Sequence, residues 1–373
     1  MIPDVIIALC LSYLSYNELV GLLRCDREYQ VLVGKFGRLF WIEAEERNLT
    51  DGDLVWWRGV GGINISNSPQ ITDVGVENFR GVERIDISMC NGVSDLGLAY
   101  LEGVKVIDVS YCKKITDFGL RCLGGGVEKI GLAYCTQITE KGLHCLEDVR
   151  EINLAGCSQI SDRSLECFKR LTKINLFDCV QVSDNGLKYL GGVETIDLGG
   201  CYQITDKGMK YLDRVKEIYL SRCDKIGDIG LEWLGGKVRK IKLKGCFGFS
   251  NDGLQYLKGV KCIDLSFCRQ LDDTGLGYLK GVREIKLGRC DGISDRGLEY
   301  LKGVEEIDLS GCRQISDAGL EHLKGVRVIN LSQCYGVSDN GLKFLKGVHT
   351  IDVSHLKVSE GVIAGLGAVK VFR

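Results

Sequence analysis

Ile307-Asp-Leu-Ser-Gly-Cys312-Arg-Gln-Ile-Ser-Asp-Ala-Gly-Leu320-Glu-His-Leu-Lys-Gly-Val326 is one turn of a pattern that runs through most of this chain. Its cysteine recurs as Cys90, Cys112, Cys135, Cys157, Cys179, Cys201, Cys223, Cys246, Cys268, Cys290, Cys312 and Cys334, every 22 or 23 residues. The frame continues to Ser68 on one side and Leu356 on the other. Even Leu49-Thr-Asp-Gly-Asp-Leu-Val-Trp-Trp-Arg-Gly-Val60 matches Ile71 to Val82 at an offset of 22. Self-similarity at such a fixed period marks a chain built by stacking one small unit.

Within a unit, Ile-x-Leu alternates with period two and predicts a three-residue strand. Ser/Thr-Asp-x-Gly-Leu-x-x-Leu begins with capping side chains and then spaces apolar residues helically, which predicts a short helix. A Gly-Val step turns the chain back. The two 23-residue spacings come from one extra residue in Gly124-Gly-Gly126 and in Gly235-Gly-Lys237, both in that turn. One unit buries too little apolar surface to offset the ordering of its backbone, so neighbours must stack. The expected fold is an α/β solenoid of about 14 repeats, an elongated horseshoe with a parallel sheet inside and helices outside.

The frame resembles the cysteine-containing subclass of leucine-rich repeats, in which Cys takes the place of a more common Asn. The resemblance covers residues 47–373. Read physically, each Cys is a small buried hydrophobe with a weak donor, suited to the point where the chain leaves the strand.

Bulk composition narrows the function. The 48 Lys+Arg nearly balance 50 Asp+Glu, which leaves no basic footprint for nucleic acid or an anionic membrane. No apolar run reaches the length a membrane helix needs. Eighteen cysteines at one period are wrong for a disulfide framework, and Val5 to Leu14 lacks the flanks of a signal peptide, so a reducing compartment, cytoplasm or nucleus, is expected. No C-x-x-C pair, phosphate loop or nucleophile elbow stands outside the repeat frame. His144 beside Cys145 looks like a dyad, but adjacent helical residues diverge, and Cys145 shares its slot with Tyr100, Cys122 and Cys167. No catalytic residue, metal or cofactor is expected.

Residues 1–46 do not repeat. Pro3 can open a helix with Ile6, Ile7, Cys10, Leu11 and Leu14. Ser15-Tyr-Asn-Glu18 is a capping box that starts a second helix with Leu19, Leu22 and Leu23. A third could run from Arg27 to Val33, followed by Leu39-Phe40-Trp41. The segment resembles an F-box, the motif that docks on the Skp adaptor of cullin-RING ubiquitin ligases. Its Leu-Pro-x-Glu opening corresponds to Ile2-Pro3-Asp4-Val5, its Ser-x-Leu to Ser12-Tyr13-Leu14, its next helix start to Glu18-Leu19, and its late aromatic slots to Tyr29 and Trp41. Val5 departs from the usual acidic residue, and Asp26-Arg27-Glu28 from a Cys-Lys-Arg type of segment. This domain order is that of F-box leucine-rich-repeat proteins. The resemblance implies a non-catalytic substrate-recognition subunit of an SCF-type ligase. It would bind the adaptor, and through it cullin, with Ile2, Pro3, Ile6, Ile7, Leu11, Leu14, Leu19 and Leu22. The alternative is a ubiquitin-independent interaction scaffold whose N-terminal helices only cap the solenoid.

Comparing repeats with one another locates candidate target contacts. The residue between Ile and Leu, expected on the concave face, is usually Asp or Asn but becomes Tyr219, Lys242 and Lys286. Lys242, Asp264, Lys286 and Asp308 would form an alternating ladder. Arg222, Lys244, Phe267, Arg289 and, further off, Phe177 add the aromatic and basic character of protein-binding hot spots. A third reading takes Lys242, Lys244 and Lys286 as a seat for an anionic small ligand, as in some plant F-box relatives.

Overall fold

The computed structural model describes residues 41–43 and 49–373. They fall into two compact units, Met1–Gln181 and Val182–Arg373. The first carries strands β1 (Trp41–Glu43), β2 (Gly62–Asn64), β3 (Arg84–Asp86), β4 (Val106–Asp108), β5 (Lys129–Gly131), β6 (Glu151–Asn153) and β7 (Lys173–Asn175). The second carries β8 (Thr195–Asp197), β9 (Glu217–Tyr219), β10 (Lys240–Lys242), β11 (Cys262–Asp264), β12 (Glu284–Lys286), β13 (Glu306–Asp308), β14 (Val328–Asn330), β15 (Thr350–Asp352) and β16 (Lys370–Phe372).

Inside each unit the strands pair in parallel and in chain order, isoleucine facing isoleucine: Ile85 opposes Ile107, and Ile263 opposes Ile285. Strand β1 pairs with β2, so the sheet begins upstream of Leu49, where the repeat frame was read to start. Both 23-residue spacings leave the pairing intact, Val106 opposite Lys129 and Glu217 opposite Lys240, because the extra residue is absorbed in the turn.

The alternation expected of a half-buried strand is present: Arg84 is exposed, Ile85 buried, Asp86 half-exposed and Ile87 buried. The helical leg is tied to the next by its acid. Asp51 accepts both the backbone N–H (2.8 Å) and the hydroxyl (2.6 Å) of Thr72, and Thr72 Oγ1 in turn accepts from Val74 N–H to cap its own helical turn, Asp73–Val76. The arrangement recurs as Asp73 to Ser94, Asp95 to Thr116, Asp273 to Ser294 and Asp317 to Ser338. It also explains the glycine of Ser/Thr-Asp-x-Gly-Leu: a Cβ on Gly75 would lie 2.3 Å from Asp51 Oδ1, and on Gly297 2.4 Å from Asp273 Oδ1. One unit breaks both rules together. Glu140 stands where Asp is expected, and Ser164 where Gly is expected, and the Ser161 N–H that an aspartate would have held donates to Ser164 Oγ instead (3.1 Å).

Each cysteine of the frame closes the stack from inside. Cys112 Sγ lies 3.2 Å from the carbonyl oxygen of Ile87 and Cys290 Sγ 3.1 Å from that of Leu265, in each case one unit back. Every described cysteine is a free thiol. Burial pushes the thiols up, Cys268 and Cys334 to about 12, with neighbouring thiols adding to it. They are donors held protonated by desolvation, not nucleophiles.

Candidate protein-recognition face

Two rows of side chains leave the sheet on the side away from the core: the residue before the first isoleucine of each strand and the residue after it. The second row has a structural job that its composition alone did not disclose. The side-chain oxygen of Asp86 accepts from the N–H of Ser88 at 2.9 Å, two residues on, and Asp108, Asp197, Asp264, Asp308 and Asp352 do the same. Asn64, Asn153, Asn175 and Asn330 complete the set. Each is an Asx turn that satisfies the backbone donor where the strand ends. The repeating Asp/Asn thus serves folding, and positions without it stand out.

Between β2 and β15, four strands lack it. In β5, Gly131 occupies the slot and the N–H of Ala133 finds Ser110 Oγ at 3.1 Å. In β9, β10 and β12 the slot holds Tyr219, Lys242 and Lys286, as the sequence comparison singled out. Tyr219 and Lys242 are partners in register, and the Lys242 ammonium lies 4.6 Å from the Tyr219 ring centre. The Tyr219 hydroxyl donates to Glu217 at 3.1 Å. Burial, together with that bond and charge, pushes the hydroxyl up to about 12. Lys244 places its ammonium 5.3 Å from the Phe267 ring centre, and Arg289 donates to Gln333 at 3.1 Å. Arg222, Lys242, Lys244, Phe267, Lys286 and Arg289 are all exposed.

The ladder of Lys242, Asp264, Lys286 and Asp308 is met in register but not in contact. Among the described residues no carboxylate oxygen lies within 4.0 Å of the Lys242 or Lys286 nitrogen. The reason is the Asx turn: Asp264 and Asp308 are drawn back to their own backbones, while Lys242 leans onto Tyr219. Phe177 belongs to the first unit. It is half-buried, its N–H donates to Asn175 and its carbonyl accepts from Gly156, which places it in a strand-end turn. The eight residues expected to meet an adaptor, Ile2, Pro3, Ile6, Ile7, Leu11, Leu14, Leu19 and Leu22, lie outside the described residues.

Sequence comparison passed over two features. The first is a recess of about 460 Å³ in the first unit, floored at Gly131 and bounded by Trp41, Asp86, Asp108, Lys129 and Lys173. Gly131 breaks the Asp/Asn pattern as plainly as Lys242 does, so the same test finds it. The second is the residue immediately before each frame cysteine, which adopts a left-handed backbone: Met89, Tyr111, Tyr134, Arg222, Phe267 and Arg289 have φ between 57° and 68° among ten such non-glycine residues. Gly156, Gly200, Gly245 and Gly311 fill that slot in other units, and these glycines were the available signal. Tyr111 and Tyr134 stack there, centroids 4.7 Å apart, with both rings exposed. Because this strain of about 1–2 kcal/mol per residue is spread along the array, it does not by itself mark a site.

His144 and Cys145 do not form a dyad: His144 Nδ1 lies 2.7 Å from the carbonyl of Glu140, and Cys145 is half-buried in the slot it shares with Cys167. Among the described residues no group of three or more His, Cys, Asp or Glu is placed to hold a metal.

Comparison with known proteins agrees with the architecture. A Leucine Rich repeat family model matches residues 304–324. No curated protein matches the sequence. Among solved structures, a chain of the yeast Rad7–Elc1 complex is similar at 16% identity and a TM-score of 0.52, over 98% of this chain and 92% of that one. The complex of TLR13 with ssRNA13 contains a similar chain at 15% identity and a TM-score of 0.58, covering 84% of this chain and 52% of that one. The Drosophila Toll–Spatzle complex contains another at 12% identity and a TM-score of 0.53, covering 93% of this chain and 48% of that one; the present chain thus spans about half of these two chains. The fold is a leucine-rich-repeat solenoid, an architecture of interaction scaffolds.

Proposed function

We propose that this chain is the substrate-recognition subunit of an SCF-type cullin-RING ubiquitin ligase, with residues 1–46 docking on a Skp-type adaptor and residues 47–373 holding a target protein. The recognition half rests on one observation: ten described strands keep an Asx-turn residue on the open sheet face, while Tyr219, Lys242 and Lys286 give it up for aromatic and basic side chains. Residues that abandon a folding role along a regular array are those free to serve a partner. The adaptor half rests on the sequence, where an F-box-like segment directly precedes the cysteine-containing repeats. The yeast Rad7–Elc1 complex offers a case of a similarly folded chain found with a second protein.

In this reading the chain performs no chemistry. It raises the concentration of target lysines near the loaded enzyme, whose catalytic groups sit on other subunits. The protonated, hydrogen-bonded thiols favour a reducing compartment, cytoplasm or nucleus.

A second reading, a ubiquitin-independent scaffold with a helical cap, is favoured by strand β1, which carries the sheet back to Trp41–Glu43, ahead of the repeat frame. Co-purification separates the two. The whole chain and a version lacking residues 1–40, which retains β1, are each mixed with a Skp-type adaptor. Adaptor binding by the whole chain alone supports the ligase reading; binding by neither supports the cap.

A further inference from the structure

We infer that the sheet face of β9 to β12 binds an extended acidic segment of a protein partner, with carboxylates spaced three residues apart. This deepens the target-recognition reading and rests on it, but not on the adaptor. The inference starts from backbone donors. In the ten capped strands a side-chain oxygen accepts the N–H at the strand end. Where Tyr219, Lys242 and Lys286 replace it, no acceptor among the described residues takes the N–H of Ser221, Lys244 or Gly288. Gly131 differs, since Ser110 Oγ serves its strand. The second unit therefore has three places on adjacent or near-adjacent strands where an oxygen supplied internally elsewhere is missing. An incoming carboxylate or carbonyl oxygen has its chemistry.

Charge agrees with the vacated acceptors. Along β9 to β12 and the turn residues that follow them, Arg222, Lys240, Lys242, Lys244, Lys286 and Arg289 stand against Glu217, Asp264 and Glu284, in a chain whose formal net charge is −2. On β13 to β16 the same rows carry Lys370 against Glu306, Asp308 and Asp352, so the excess is confined to this face. Among the described residues Lys242 and Lys244 have no acidic partner, and they are held over Tyr219 and Phe267, which leaves cations and rings presented together.

Spacing sets the partner's pattern. Lys242 and Lys286 lie two strands apart, about 9.6 Å at a strand spacing of about 4.8 Å. A segment in the polyproline II conformation returns its side chains to one face every third residue, and three such residues span about 9.3 Å. Asp264 lies between them in register and disfavours a carboxylate opposite itself. The fitting segment has the form Glu-x-x-Glu with neutral residues between.

The test replaces the exceptions with the rule. In the full chain carrying Tyr219→Asn, Lys242→Asn and Lys286→Asn, each new amide can cap the orphaned N–H, so the variant is expected to fold with an equal or higher melting temperature. Fluorescence anisotropy with a labelled Glu-Gly-Ser-Glu-Gly-Ser-Glu peptide should show saturable binding to the parent that weakens with added salt. Affinity should fall by about tenfold or more in the triple variant, and likewise for a Glu→Gln peptide. Equal binding by the triple variant, equal binding of the Gln peptide, or displacement of the peptide by inorganic phosphate at far lower concentration overturns the inference. The assay contains no adaptor, so its failure leaves the adaptor reading standing on its own test.

Discussion

Replacing Gly297 by Ala should destabilise the protein when Asp273 is present and stabilise it when Asp273 is gone. The added Cβ would stand 2.4 Å from Asp273 Oδ1 and 3.0 Å from a Leu276 methyl; the methyl can rotate aside, but the carboxylate is fixed by the N–H (2.8 Å) and hydroxyl (2.6 Å) of Ser294. Overpacking of this kind costs about 1–3 kcal/mol, against which the gain of Ala over Gly in a helical turn is about 1. Gly297→Ala alone should therefore lose up to about 2 kcal/mol. Asp273→Ala removes two charge-assisted bonds in a half-buried setting and should lose about 2 kcal/mol. If the glycine exists to admit the carboxylate, the double variant should be no worse than Asp273→Ala and up to about 1 kcal/mol better, a coupling of about 1–3 kcal/mol. Urea unfolding of the four proteins, followed by circular dichroism, reads this directly. Additive losses in the double variant would refute the reasoning. The Glu140 and Ser164 unit is the same exchange already present in the sequence, with the carboxylate withdrawn and a side chain in the glycine slot.

Other expectations follow from the same ties. In the Glu140 unit, Glu140→Asp or Ser164→Gly alone should not raise the thermal midpoint, whereas the two together should raise it by restoring the bond to Ser161; equal effects singly and jointly would contradict this. The frame thiols keep their protons in the folded state, with Cys268 and Cys334 pushed up to about 12 from an ordinary 9.0, so the unfolded chain ionises first as pH rises. Their stabilisation is complete below pH 9 and is lost above it, at up to about 1.4 kcal/mol per pH unit for each such thiol. Urea midpoints measured from pH 7 to 11 should fall on the alkaline side, and a flat profile would count against the assignment. Under native conditions an alkylating reagent should modify the half-exposed Cys122, Cys145 and Cys262 before Cys112 or Cys290, as peptide mapping would show. Gly156→Ala should cost about 1–3 kcal/mol, because the backbone there is left-handed and the Cβ would enter the Tyr134 ring at 2.5 Å.

The repeat was legible because its signals are local and periodic: Ile-x-Leu, the capping Ser/Thr and the Gly-Val turn are each decided within a few residues. The place of the two extra residues was legible for the same reason. What sequence reading could not supply were contacts between units. That the aspartate of one turn reaches the threonine or serine of the next, and that the following glycine makes room for it, is a relation across 21 to 24 residues with no local trace. The Asp/Asn row of the sheet face was read as a surface, and the Asx turn shows why it is instead a folding device. The same fact lends weight to Tyr219, Lys242 and Lys286, whose departure now carries a consequence for the backbone. Gly131 was overlooked because a missing side chain draws less notice than a lysine.

The most direct test of the account is the binding of a Skp-type adaptor to the whole chain and to the chain lacking residues 1–40. The account predicts a stoichiometric complex with the whole chain and none with the shortened one, both remaining folded by circular dichroism. Absence of a complex with the whole chain at micromolar concentration, or undiminished binding after the deletion, would contradict it.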